Sequence, residues 1–470
     1  MTIRSAVHAL PDTLMPPDPG PARMATAAAA ELAAADPQLY RLLAADLRAQ
    51  NGTLALVAST SVAPPSVLAC AGAALSNITA EGYPGARFHA GCGVLDRIEE
   101  LAVERATALF GARYANVQPH SGSAANLCVY FGLLQPGDTI LGMDLDAGGH
   151  LTHGSRASVT GRYFRPVAYG LDADGLIDHA EVAALAREHR PRIIVAGASA
   201  YPRTVDFGRF REIADEVGAY LLADISHIAG LVAAGLHPSP VDHAHFTTTS
   251  TYKQLCGPRG GLILMGRDAD APAPGGRGTL SGLMQRSVFP LGQGTPNPGA
   301  IAAKARALQF AATAEFRGFA GRVVADAAAM AGGLADLGYR VLTGGTDNHM
   351  VLLDLEGTGL TGTVAEQALE SCGILVNKNR VPGDTRPPMV CSGLRIGANG
   401  MALRRFTPAE VGYCTELLDT VLGAVRPLSD TEYELPEGVR RRVGAAVAEL
   451  CADYPLPGYP ADEAELAEAV

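Results

Sequence analysis

Apolar positions along the chain fall into two rhythms, and each predicts a type of element. Residues 25–51 are rich in Ala and Leu at helical spacing and break at Asp36-Pro37, which predicts two short helices. A short apolar run at 54–58 reads as a strand stopped by Pro64-Pro65. From about residue 66 to 300, helical periods alternate with short buried runs, as a βα-wound parallel sheet requires. Runs at 139–143, 192–198, 220–223 and 261–265, each bounded by Gly, Pro or Asp, predict strands. Segments 181–188 and 207–217 have helical spacing with charged outer faces. Beyond Pro298 one long Ala-rich helix is expected to about Phe316 or further, leading into a smaller C-terminal domain with strands near 340–342, 349–355 and 393–396. The division expected is an N-terminal arm with helices (1–60), a large domain (61–300), a small C-terminal domain (301–429) and a helical acidic tail (430–470). The Pro-rich arm to about Arg23 reads as loose, and no internal repeat is present.

Composition narrows the class. With 470 residues, 48% hydrophobic and only 18% charged, the chain has the material for a large core and is too apolar for a disordered protein. The net charge of -11 argues against nucleic acid or an anionic membrane as a partner, although -7 of it belongs to the tail from Asp430, which holds ten acids against three arginines. The remaining body is close to neutral, with Lys253, Arg395, Arg259 and Arg87 expected around an anion-binding pocket. Eight cysteines are scattered without a CxxC pair, and no signal peptide or membrane-length apolar stretch is visible. These readings predict reduced, mostly buried thiols in a cytoplasmic enzyme.

The most informative segment is Thr247-Thr-Thr-Ser-Thr-Tyr-Lys253-Gln-Leu-Cys-Gly-Pro-Arg-Gly-Gly261. A lysine in a run of hydroxyl residues, followed by a glycine-rich turn and a strand, suits a Schiff-base lysine beside an anion cradle. Leu221-Leu-Ala-Asp224-Ile-Ser-His227 places Asp224 at the carboxyl end of an apolar strand, where ligands of open α/β sheets bind. A carboxylate there can keep a pyridine nitrogen protonated. Ser121-Gly122-Ser123 precedes a helical stretch and so offers free N–H groups and hydroxyls to an anion. The pairs His150/His153 and His243/His245 lack a third ligand or a zinc signature, so no metal is expected.

Together with Ala80-Glu-Gly-Tyr-Pro-Gly85, Asn116-Val-Gln-Pro-His-Ser-Gly-Ser123, Gly148-Gly-His-Leu-Thr-His-Gly154 and Ser392-Gly-Leu-Arg-Ile-Gly397, these segments make the chain resemble the serine hydroxymethyltransferase family over roughly residues 47–420. The resemblance implies an α/β protein of fold-type I, the pyridoxal phosphate-dependent transferase class. Its large domain would hold a mostly parallel, seven-stranded type of sheet, with a smaller α+β C-terminal domain. It implies that Lys253 forms the Schiff base, Asp224 meets the pyridine nitrogen and His150 stacks on the ring. Ser199 and His227 would neighbour the phenolic oxygen, and Ser121, Gly122 and Ser123 would hold the phosphate with Gly294 of a second subunit. Arg395 would grip the substrate carboxylate with its planar fork, with Ser59, Thr79 and His89 near the substrate, while Glu81 would manage protons during transfer. Leu145, Gly149, Leu151, Asn379 and Phe88 match positions that meet tetrahydrofolate, and Met389 is still apolar where the family has phenylalanine. A homodimer or tetramer is implied, because Glu81 and Gly294 would serve the neighbouring subunit's site.

The chain departs from the family pattern inside this site. Ser59-Thr60-Ser61 replaces Ser-Glu-Asn, Thr79 and Phe88-His89 replace tyrosines, Tyr252 replaces the histidine before the lysine, and Gly294-Thr295 replaces Gly-Gly. Thr79 and His89 remove ring volume near Cα, which favours an α-substituted substrate such as 2-methylserine. Two other readings stay open: a folate-independent aldolase or transaldolase acting on threonine or another β-hydroxy amino acid, and a catalytically silent paralogue.

Overall fold

Seven short runs, two of them wholly apolar, assemble into one sheet in the computed structural model, which describes residues 20–460. They are β1 (Tyr114–Asn116), β2 (Thr139–Met143), β3 (Arg165–Tyr169), β4 (Ile193–Ala196), β5 (Tyr220–Asp224), β6 (Phe246–Ser250) and β7 (Gly261–Met265). Their order is β1-β7-β6-β5-β4-β2-β3, and β7 is antiparallel to both its neighbours while the other pairs are parallel. Parallel strands need crossovers, and the helices Gly122–Leu133, His179–His189 and Phe207–Val217 supply three of them. Both faces of the sheet are covered, so every residue of β4, β6 and β7 is buried. The carboxyl ends of β2, β4, β5 and β6 open toward one edge, which is where the motifs lie.

Several expectations change. The hydroxyl run before Lys253 is an interior strand of the sheet, β6. Threonine is β-branched and its methyl packs well in a sheet. Two of the buried hydroxyls find partners, Thr248 Oγ1 donating to Asn126 Oδ1 at 2.5 Å and Thr249 Oγ1 to the Ser250 carbonyl at 2.8 Å, while Thr247 Oγ1 is buried without one. The long Ala-rich helix is two, Pro298–Ala311 and Ala314–Asp336. Helix propensity runs through the joint, but the Thr313 side chain accepts the Phe316 N–H at 3.2 Å and starts a new helix.

The C-terminal region builds a second, antiparallel sheet from β8 (Arg340–Val341), β9 (Met350–Asp354), β10 (Asn377–Asn379) and β11 (Gly393–Gly397), ordered β8-β9-β11-β10. The expected strand at 54–58 shrinks to Leu54–Ala55, which pairs with Ile374–Leu375, and the Leu56 carbonyl accepts the Gly397 N–H at 2.7 Å. The two predicted N-terminal helices are Gly20–Ala35 and Pro37–Gly52, separated by the N-cap Asp36. The buried Arg404 holds the end of the second, donating to the Asn51 carbonyl at 2.7 Å and to the Tyr454 carbonyl at 2.7 Å. The tail expectation resolves into a hairpin (Arg426–Pro427 with Tyr433–Glu434) and a packed helix, Glu437–Asp453, which buries Val443, Val447 and Leu450. The first 19 residues of the arm and residues 461–470 of the tail lie outside the described residues. Among those described, no helix is long and apolar enough to cross a membrane.

Candidate active site

Chain ends of β2, β4, β5 and β6, with the loop before helix Gly122–Leu133, enclose a cavity of about 260 Å³. Of the residues singled out in the sequence, Ser121, Gly122, Ser123 and His150 line it, as do Ser199, Asp224, His227 and Lys253. Ser121 is the helix N-cap and spends one lone pair on the Ala124 N–H at 3.0 Å, leaving the N–H groups of the first turn at the cavity end. A Cβ on Gly122 would come within 3.1 Å of the Ser250 nitrogen, so a side chain there would make β6 or the helix end give by a few tenths of an ångström.

Asp224 is the anionic centre. Its Oδ2 accepts from Asn126 Nδ2 at 2.8 Å and from His153 Nε2 at 3.1 Å, and its Oδ1 accepts from the Ser226 N–H at 3.0 Å and the Ser226 hydroxyl at 2.6 Å. Burial by itself would raise its pKa, but the His153 hydrogen bond and the other donors hold it well below the usual carboxylate range. His153 Nδ1 accepts the His150 backbone N–H at 3.3 Å, which leaves Nε2 as the protonated nitrogen facing Asp224. His150 Nδ1 likewise accepts the Thr152 N–H at 3.2 Å, and burial lowers this ring to about 4, so it stays neutral. The possible ligand atoms of His150, His153 and Asp224 lie within 4.8 Å of one another, but those of His153 and Asp224 are already engaged in these bonds.

Lys253 is 7% exposed. Burial, opposed in part by Asp224 and reinforced by Arg395 and Arg259, brings its amine down to about 8. Arg395 enters from β11. Its Nε donates at 3.0 Å to Asn377, directly opposite on β10, and its Nη1 at 2.5 Å to the Ser199 carbonyl, so the fork is fixed from two sides. Burial lowers it only to about 10, and it keeps its charge at neutral pH. Ser59 follows Ala58, which packs against Gly397, two residues beyond Arg395.

A second group of predicted residues lies elsewhere in the chain. Glu81 Oε2 stands 3.5 Å from His89 Nε2, and its Oε1 lies 3.3 Å from where a Cβ on Gly294 would be. Phe88 stacks edgewise on Phe289 at 5.6 Å and is 74% exposed. None of Thr79, Glu81, Phe88, His89 or Gly294 lines the Lys253 cavity. Arg87 corrects an expectation: it does not border an anion pocket but is spent on Asp96 at 2.8 Å and Glu99 at 2.6 Å. The same guanidinium donates to the Gly82 and Ala80 carbonyls at 2.7 and 3.3 Å, bracketing Glu81. Of the residues expected to meet folate, Leu145 and Leu151 flank the His150 loop and are exposed, and the Asn379 amide donates to the Arg380 carbonyl at 2.6 Å. Gly149 is forced by space, since a Cβ there would meet the Met143 carbonyl at 2.1 Å.

Sequence reasoning missed Asn126, His153 and Asn377. His153 stood in view but only as a metal candidate, and Asn126 is an amide on an otherwise apolar helix face, which is a usable signal. Asn377 carries no local signal, because its role comes from strand register.

A buried amine of lowered basicity, a carboxylate kept ionised and a helix end rich in N–H groups, all facing one cavity, fit a ligand bearing an aldehyde, a basic ring nitrogen and a phosphate. At the carboxyl edge of this mostly parallel sheet, that chemistry defines the fold-type I class of pyridoxal phosphate enzymes. Within it, the chain belongs to the serine hydroxymethyltransferase family, whose family model matches residues 32–418. It is a pyridoxal phosphate-dependent hydroxymethyltransferase, and enzymes of this family use tetrahydrofolate as co-substrate for one-carbon transfer.

Proposed function

We propose that this enzyme favours an α-substituted substrate, moving a one-carbon unit between 2-methylserine and tetrahydrofolate, in a cytoplasmic homodimer whose sites are shared between subunits. When bound, pyridoxal phosphate supplies an electron sink for the pair released as the Cα–Cβ bond is cut or made. Lys253 would hold it by its amine, Asp224 by the ring nitrogen, His150 by the ring face, Ser199 and His227 near the phenolic oxygen, and Ser121, Gly122 and Ser123 by the phosphate. Arg395 binds and orients the amino-acid carboxylate. Glu81 of the second subunit holds and returns the proton of the substrate hydroxyl, and Gly294 from the same side completes the phosphate cradle. Leu145, Leu151 and Phe88, exposed in one chain, with Gly149 and Asn379, offer a surface to the pterin.

The observation that carries the substrate preference is the exposed edge formed by Thr79 and His89 beside Glu81, where the family places larger rings. Burying one extra methyl contributes only about 0.8 kcal/mol, so relief of a clash at Cα decides the preference. A panel of L-serine, both enantiomers of 2-methylserine, L-threonine and L-allo-threonine, each with and without tetrahydrofolate, tests it. Higher kcat/KM for one 2-methylserine enantiomer, dependent on folate, is expected. Better turnover of L-serine would sink the preference, and folate-independent cleavage of threonine would make the protein an aldolase.

A further inference from the structure

His349 has no part in the cavity wall, yet it touches a residue that does. Residues 346–349 dock the C-terminal region on the large sheet: Asn348 Nδ2 donates to the Tyr201 carbonyl at 2.9 Å, and Asp347 pairs with Arg203 at 2.7 Å. At the end of that segment His349 is 1% exposed, and its ring stacks on His227 with centroids 5.6 Å apart and planes 25° apart. Its Nε2 lies 3.4 Å from His227 Nδ1. Both rings are neutral. Burial, with Lys253 and Arg395 facing both, pushes His349 down to about 3 and His227 well below its ordinary value; His150 is a further neighbour of His227.

Two neutral imidazoles in contact share one proton, so the other face of His349 settles which ring donates. His349 Nδ1 is buried with no hydrogen-bond partner, and the backbone of Ala58 acts on the ring in the direction of an acceptor, which favours an N–H on the nitrogen turned away from His227. A proton on Nδ1 leaves Nε2 bare and able to accept. We propose that His349 is a positioning residue that accepts the Nδ1–H of His227, so that His227 presents Nε2 to the cavity as a hydrogen-bond acceptor. His227 then takes an O–H or N–H of the bound ligand and cannot donate to an anionic oxygen. This rests on reading the cavity as the cofactor and amino-acid site, but the proton position does not depend on the substrate preference.

Neutron diffraction from deuterated crystals, with and without cofactor, locates the deuteron. It is expected on His227 Nδ1; a deuteron on Nε2 overturns the proposal. In solution, His349→Leu removes the acceptor and is expected to lower kcat about ten-fold, with KM for the amino acid nearly unchanged and the cofactor's visible band shifted. His349→Gln, whose amide oxygen accepts, should restore both. Equal losses in the Leu and Gln variants with an unshifted band make His349 merely structural and defeat the idea. If the Leu variant does not fold, the wild-type neutron map and the Gln variant still decide.

Discussion

At the scale of single residues, Lys253 shows how environment converts a common side chain into a reactive one. The amine is protonated below about 8 and neutral above it, so nucleophilicity rises with pH through that value. Cofactor-free protein mixed with pyridoxal phosphate should therefore develop its visible band at a rate that climbs with pH and levels off above about 8. An ordinary lysine would keep climbing toward about 10.4. Lys253→Ala should show no lysine-dependent band at all. Lys253, Asp224 and Arg395 were legible because each sits in a local pattern: a hydroxyl run before Lys253, an apolar run before Asp224, and Ser392-Gly-Leu-Arg-Ile-Gly397 around Arg395. Two of the four donors on Asp224 were not, since Asn126 and His153 reach it across 98 and 71 residues of sequence.

At the scale of elements, two buried cations hold segments in place. Lys304, on helix Pro298–Ala311, donates to the Val117, Pro119 and Gly261 carbonyls at 2.6, 3.0 and 3.0 Å, tying the exit of β1 to the start of β7. Lys304→Met takes the buried donor from three carbonyls, of which Pro119 still accepts the Gly261 N–H at 2.9 Å; each acceptor left bare costs about 1–3 kcal/mol, so a fall in the urea midpoint is expected. A midpoint within error of wild type would show that the carbonyls find other donors. Arg87 grips both carbonyls around Glu81 and is itself held by Glu99, whose other oxygen accepts from Gln118 at 2.8 Å. Arg87→Lys keeps the charge but loses the fork, and kcat should fall about ten-fold or more with an unchanged circular dichroism spectrum. Most of the strand runs read from the apolar pattern fall where expected, because burial on both faces leaves a strong signature. β6 hid behind its hydroxyls, and the break at Thr313 hid because a single cap interrupts otherwise uniform helix propensity.

For the whole molecule, the decisive fact is separation. Arg395 is tied to the Lys253 cavity through the carbonyl of its lining residue Ser199, whereas Glu81, His89 and Gly294 form a second cluster that does not line it. If that cluster completes the site of a second subunit, co-expressing Lys253→Ala with Glu81→Gln should regain about one quarter of wild-type activity, because half the dimers are mixed and each mixed dimer has one intact site. No recovery would mean that Glu81 acts within its own chain or not at all. The sequence alone determined which chemical groups the protein carries and at which strand ends they stand, since apolar runs, glycines and the residues after them are local signals. Only the tertiary structure decided which groups meet: that Arg395 reaches Ser199 across the two sheets, that His349 leans on His227, and that Arg87 is spent on Glu99. Those pairings depend on strand order and on packing between segments far apart in the chain, and no local pattern encodes them.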